Sequence, residues 1–292
     1  MKKGIYIVIN WAVLLAAAAL FVLQYGSCAR YHLPENAWGL LCFAGGVLVV
    51  HLIKAGRLYL AFYGTPMKGT DYIKTYCKVT PVSMLLPYKL GEIFRIYCYG
   101  YLINDFMRGT VVVMLDRFMD TLALVSVILL LCAVYTSHVT PLVYALLAFL
   151  LCLVMLYYVF PGVYRFWKQY YLHAPASKYT LWWLEQLELL HNLYEEIEVV
   201  VKGRGLILYF LSLLAWGMEL LVLVVFSQQV FSKQISQKIS DYLFAALNGN
   251  PSLELNQFII VSAILLVGCY LLLQLLKGIK KQRYLNENHY SV

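Results

Sequence analysis

The stretch LLPYKLGEIFR at residues 85–95, preceded by KVTP at 78–81, decides how this chain is threaded. Two prolines, a glycine and four ionisable side chains interrupt what is otherwise a succession of apolar runs. Pro81 and Pro87 lack the amide proton that a helix interior needs, and each disfavours helix in the residue before it. Gly91 adds a permissive joint. A continuous helix through 71–101 is therefore not expected, and Pro81, Pro87 and Gly91 are the candidate backbone breaks.

Working outward, 62% of the 292 residues are hydrophobic and 13% charged, with a mean hydropathy of +0.71. That leaves too few polar groups to cover a soluble globule. The expectation is an all-α polytopic membrane helix bundle, a single integral membrane domain over 1–292. Apolar runs bounded by charges or breakers predict six spans: Ile5 to Tyr25, Ala37 to Phe62, Thr110 to Cys132, Pro141 to Phe160, Leu206 to Phe226 and Phe258 to Leu276.

Orientation follows from Lys and Arg. With the N-terminus inside, the inner segments hold Lys2 and Lys3, eight bases between Lys54 and Arg108, five between Arg165 and Arg204, and four from Lys277 to Arg283. That is nineteen of 23, against three outside (Arg30, Lys233 and Lys238) and Arg117 within a span. Both termini are expected to be cytoplasmic, in a multi-pass protein of the cytoplasmic membrane. The count holds only if 71–101 returns to the side it left. A re-entrant pair of half-helices satisfies this, because broken backbone at membrane depth is tolerated where protein or a water-filled cavity surrounds it. A pair of amphipathic helices lying on the inner surface satisfies it too, and Lys74, Lys78 and Lys89 would suit that.

Other signals are quieter. Tyr25 stands where a lipoprotein cleavage box, suggested by YGSC ending at Cys28, wants a small aliphatic residue, so the first span is expected to stay uncleaved. Seven cysteines without a CxxC pair suggest neither a disulfide framework nor a metal site, and no cofactor is expected. Ser177 to Lys202 has apolar residues at helical spacing and a polar face of Glu185, Glu188, Glu195, Glu196 and Glu198. This cytoplasmic helix is too acidic for an anionic leaflet and should dock on the bundle or on a partner. The net charge of +8 reflects the inside bias and gives no reason to expect nucleic acid as a partner.

Charges inside spans usually face a bundle interior or cavity. Asp116, Arg117 and Asp120 share one arc of roughly 100° on the third span, and Asp120 lies about 15 Å from its cytoplasmic end. They are either a buried salt bridge that fixes packing or a charged lining for a polar ligand. Glu219, in the fifth span, would require Arg117 or Arg95 if ionised. His51, Lys54 and Arg57 recur at three-residue intervals, and the two bases are expected to snorkel to the inner interface unless they receive an anionic headgroup.

LPYKLGEIFR at 86–95 followed by VVVMLDRFMDTLAL at 111–124 resembles the signature of the lysylphosphatidylglycerol synthase transmembrane family. Pro87, Gly91, Glu92, Arg95, Asp116, Arg117 and Asp120 match its pattern. SLLAWGMEL at 212–220, with Trp216 and Glu219, is similar to a later family feature. Family members commonly carry a second broken segment late in the chain; here only NGNPSLE at 248–254 occupies that region. The sequence also ends at Val292 without the soluble aminoacyl-transfer domain, so the resemblance implies a lipid-handling module rather than an enzyme that aminoacylates lipid.

The function this implies is translocation, flippase-like or scramblase-like, of a phospholipid or polyprenyl-phosphate lipid. Arg95, Arg117, Lys54 and Arg57 would bind the headgroup, with Glu92, Asp116, Asp120 and Glu219 as the charge network around them. Two other classes compete. A non-transporting scaffold of an envelope lipid or glycan synthesis complex would use 185–198 to dock its partner or a second copy. An integral-membrane headgroup transferase would use Asp116 and Asp120 as bases or cation ligands.

Overall fold

The structure, a computed structural model, describes residues 3–26, 37–86, 90–135, 141–173, 175, 177–226, 239, 242–246 and 253–289. Its main helices are α1 (Lys3–Tyr25), α2 (Ala37–Ala61), α3 (Gly69–Leu85), α4 (Leu90–Ile103), α5 (Phe106–Tyr135), α6 (Pro141–His173), α7 (Lys178–Val201), α8 (Gly205–Phe226) and α9 (Leu253–His289). Six are long and apolar enough to cross a membrane: Tyr6–Tyr25, Ala37–Ala61, Phe106–Val134, Pro141–His173, Gly205–Val225 and Leu255–Gly278. They coincide one for one with the expected spans, and the chain is an all-α multi-pass membrane protein.

α2, α5 and α8 form the centre, α2 packing most extensively on α8, and α3 packs along α9. α1 joins the bundle through α3, and α6 through α5 and α7. These peripheral helices keep most of their apolar side chains outward, as a lipid surround permits.

The interrupted stretch forms a helical hairpin of α3 and α4. At one end Lys277 Nζ of α9 lies 3.0 Å from Asp71 Oδ1. At the other, Leu85 packs with Tyr25 at the end of α1 and Ile260 near the start of α9. The fourteen residues between Asp71 and Leu85 climb about 21 Å. The hairpin therefore stands upright among the spans and does not lie on the inner surface.

Pro81 does not break the chain. α3 runs through it to Leu85, and Pro81 is buried between Val79 and Val82, which pack against Ala17, Phe94 and Cys98. Packing on both flanks outweighs the one lost backbone hydrogen bond. The break comes at Leu86, whose backbone is extended (φ −77°, ψ 129°), as a residue preceding proline prefers. Pro87 itself lies outside the described residues. Gly91 is not a hinge either: it sits in the first turn of α4, where a Cβ would come within 2.4 Å of Ser83 Cα. The two arms touch backbone to backbone at this point because glycine has no side chain.

α4 and α5 are joined by two residues with legible turn chemistry. Asn104 takes a left-handed conformation (φ 57°), and Asp105 caps α5 by accepting from the Arg108 amide at 3.0 Å. The short joint brings Arg95 of α4 beside Asp116 of α5.

α7 is the expected amphipathic helix, capped by Ser177 Oγ, which accepts from Thr180 N–H at 3.2 Å. It docks on the bundle. Tyr194 stacks on Tyr157 and Phe160, and His191 on Tyr164, all from α6. Four of its glutamates lie within ion-pair range of a base of the same chain: Glu188 of Lys168, Glu195 of His191, Glu196 of Arg108 and Glu198 of Lys202.

Candidate functional site

Each of the eight residues expected to bind the headgroup or form the charge network around it finds an oppositely charged partner within the set. Arg57 of α2 is the hub. Its Nε lies 2.8 Å from Asp116 Oδ1, while Nη1 reaches Asp120 Oδ1 and Ser212 Oγ, each at 2.7 Å. Arg95 approaches the other oxygen of Asp116, with Nη2 to Oδ2 at 2.8 Å. Its Nη1 is 3.7 Å from Glu92 Oε2, and Glu92 Oε1 holds Arg117 Nη2 at 2.5 Å. Arg117 Nη1 lies 4.0 Å from Asp120 Oδ2, so the path closes on itself.

A second branch carries Lys54 and Glu219, 2.6 Å apart. Lys54 also stands 5.4 Å above the Trp216 ring, whose indole N–H donates to the Asp120 carbonyl at 3.2 Å. Glu219 accepts a further hydrogen bond from the Tyr242 hydroxyl. Helix geometry puts Asp116 about 15 Å along α5 and Glu219 about 21 Å along α8 from their N-terminal ends. The network is thus at membrane depth.

Two sequence expectations are corrected here. Lys54 and Arg57 do not snorkel to the inner interface; the carboxylates of α5 and α8 offer them partners inside, and Arg57 is only 3% exposed. Glu219 pairs with Lys54 rather than Arg117 or Arg95, because Asp116 and Glu92 already engage those guanidiniums. Asp116 and Asp120, the candidate cation ligands, are instead bridged by Arg57.

The set holds four cations (Lys54, Arg57, Arg95, Arg117) and four carboxylates (Glu92, Asp116, Asp120, Glu219), which makes it formally neutral. Neutrality matters where uncompensated charge costs several kcal/mol. Burial is uneven, however. The Asp116 side chain is 1% exposed and that of Arg95 7%, but Glu92 reaches 20% and Arg117 41%. Met114, one turn before Arg117, and Ile93, next to Glu92, are exposed apolar side chains. The Arg117–Glu92 end of the network is consequently the exposed one, bordered by apolar side chains. Glu92 Oε2 and Arg117 Nε have no hydrogen-bond partner, so this end is also the less satisfied one.

Sequence reasoning missed Ser212 and Tyr242. Ser212 had a signal, since it precedes Trp216 and Glu219 by four and seven residues and so shares their helix face. Tyr242 had none. It belongs to a short helical stretch at 242–246, in a segment expected as an outer loop, yet Tyr242 and Leu243 are buried against α5 and α8. Buried hydroxyls and an imidazole flank the network: His51 Nδ1 lies 3.3 Å from the Tyr76 hydroxyl, while His51 Nε2 and the Tyr99 hydroxyl are without hydrogen-bond partners.

No family model matches the chain, and no curated protein and no solved structure matches it.

Proposed function

We propose that the chain moves a lipid with a charged headgroup between leaflets, and that the headgroup passes the Arg117–Glu92 pair. One observation carries this reading: a neutral ion-pair network among the candidate spans has one pair partly exposed among apolar side chains. A guanidinium can receive a phosphate by charge-assisted bonds. Glu92, released from Arg117, can meet an amine on the head or remain with Arg95. Arg57, bonded to both Asp116 and Asp120, and the buried Arg95, bonded to Asp116, serve as the rigid wall rather than the receptor.

Phospholipids and polyprenyl-phosphate lipids share the required phosphate, and the resemblance noted in the sequence points the same way. The transferase reading is weaker, because Arg57 occupies the carboxylates it would need. The scaffold reading is weakened by the internal pairing of the α7 glutamates.

The test is headgroup-labelled phospholipid movement in vesicles containing the purified protein. Arg117→Gln is expected to slow movement about ten-fold, the loss of one charge-assisted contact, with little change in thermal unfolding. Undiminished movement in folded Arg117→Gln protein, or wild-type movement no faster than in protein-free vesicles, overturns the reading.

A further inference from the structure

Away from the network and among the described residues, the half-buried Lys78, like Lys74 and Arg204, lacks the ion pair that every member of the network has. Lys78 lies two turns above Asp71 on α3, about 10 Å by helical rise. Asp71 is level with Lys277, at the inner end of the α9 span. Lys78 Nζ donates to Asn10 Oδ1 at 2.8 Å and to the Tyr6 hydroxyl at 3.1 Å. It stands 5.4 Å from the Tyr6 ring centre and 5.7 Å from that of Phe94, and the Cys98 thiol adjoins both Lys78 and Tyr6. All of these partners are neutral. Among the described residues, no carboxylate lies within ion-pair range of this half-buried ammonium.

An ammonium held only by neutral groups near the edge of a bilayer leaves a positive charge that an anion would compensate. The donors for one are at hand. The Asn10 amide keeps its NH₂, while the third ammonium N–H and the Tyr6 hydroxyl proton face only the Cys98 sulfur, a weak acceptor. Tyr97, stacked on Tyr6 at 5.6 Å, carries a buried hydroxyl with no hydrogen-bond partner.

The depth suits a lipid phosphate. Tyr6 opens the α1 span, so it marks the inner boundary, and a side chain on α3 leans back toward that boundary. Tyr6, Tyr97 and Tyr101 form the aromatic stack typical of the interface. α1 packs on α3 and lays its Tyr6 ring on Tyr97 and Tyr101 of α4, while Tyr6, Asn10 and Lys78 each keep partial exposure.

We propose that Lys78, Tyr6 and Asn10 form a second, separate site for the phosphate of an anionic inner-leaflet lipid. With one uncompensated positive charge and no carboxylate to receive an amine, the site selects a net-negative head over a zwitterionic one. A free phosphate offers the same chemistry, and the test separates the two sources.

The full chain in detergent is heated with phosphatidylglycerol, with phosphatidylcholine or with inorganic phosphate. Phosphatidylglycerol is expected to raise the wild-type unfolding midpoint by several degrees, with the other two ineffective. Lys78→Met should lose most of that shift and Arg117→Gln should keep it. Asn10→Leu, which retains the charge, should lose part of the shift and serves if Lys78→Met does not fold. A full shift retained in Lys78→Met or in Asn10→Leu overturns the proposal, as does an equal shift from phosphatidylcholine. Inorganic phosphate reproducing the shift would reject the lipid as occupant, and loss of the shift in Arg117→Gln would move the lipid to the central network.

Discussion

Asp116 and Glu92 are both carboxylates set between two arginines, yet they are held in different ways. Asp116 gives one oxygen to Arg57 and the other to Arg95, both at 2.8 Å, and its side chain is 1% exposed. Glu92 binds Arg117 tightly through one oxygen but leaves the other 3.7 Å from Arg95, and it is 20% exposed. The same ionic chemistry thus serves two ends. Where both oxygens are bonded and water is excluded, a salt bridge fixes helices; where one oxygen is slack and the pair is partly exposed, it can exchange partners.

The strongest way to break this comparison is Asp116→Asn. It keeps the shape but leaves two buried guanidiniums short of a counter-charge, which is expected to cost about 3–5 kcal/mol. Denaturant unfolding, or loss of monodisperse protein in detergent, would report it. Arg117→Gln removes a half-exposed partner and is expected to cost about 1 kcal/mol or less in the same assay. If the two variants proved equally stable, the distinction between wall and receptor would fail.

Much of this difference was within reach of the sequence, though not all of it. The six spans were legible because apolar runs of bilayer length have few other uses; the basic residues asked only that 71–101 return to the side it left, and left open whether it stands among the spans or lies across their ends. That Asp116 and Glu219 would turn inward to a partner was legible because charge at membrane depth is costly. Pairing was not. Whether Arg57 snorkels or turns inward depends on which helix face meets α5 and α8, a property of the packed bundle. Pro81 misled for a related reason, since its lost hydrogen bond is outweighed by neighbours that local sequence does not reveal. Tyr242 was one of 25 tyrosines until the 242–246 stretch was placed against Glu219.

A middle-sized effect should come from the hairpin that supplies both Glu92 and Arg95. Gly91→Val places a side chain where a Cβ already meets Ser83 Cα at 2.4 Å. Backbone in contact with backbone cannot yield as a flexible side chain could, so α4 must move off α3 at a cost of about 1–3 kcal/mol. Because Glu92 is the next residue, lipid movement should fall along with stability. A stability loss without any change in movement would show that the slack end tolerates displacement, and that the position of Glu92 is not critical.

The smallest effect tests whether burial, rather than ion pairing as such, separates these sites. Glu188 of α7 lies 2.7 Å from Lys168, as close as Asp120 to Arg57 in the central network but substantially exposed on both partners. The hydrogen bond from Lys168 holds its carboxyl below the usual carboxylate range. A carboxylate whose pKa is lowered in the folded state contributes stability above its unfolded pKa and loses it as pH falls through the folded one. Glu188→Gln is therefore expected to lower the unfolding midpoint slightly at neutral pH, and not at all once the medium is acid enough to protonate the wild-type side chain. Salt should shrink even the neutral-pH difference, because exposed pairs are screened. A loss at Glu188 as large as that of Asp116→Asn would mean that the tightness of a pair, and not its exclusion from water, sets its contribution in this protein.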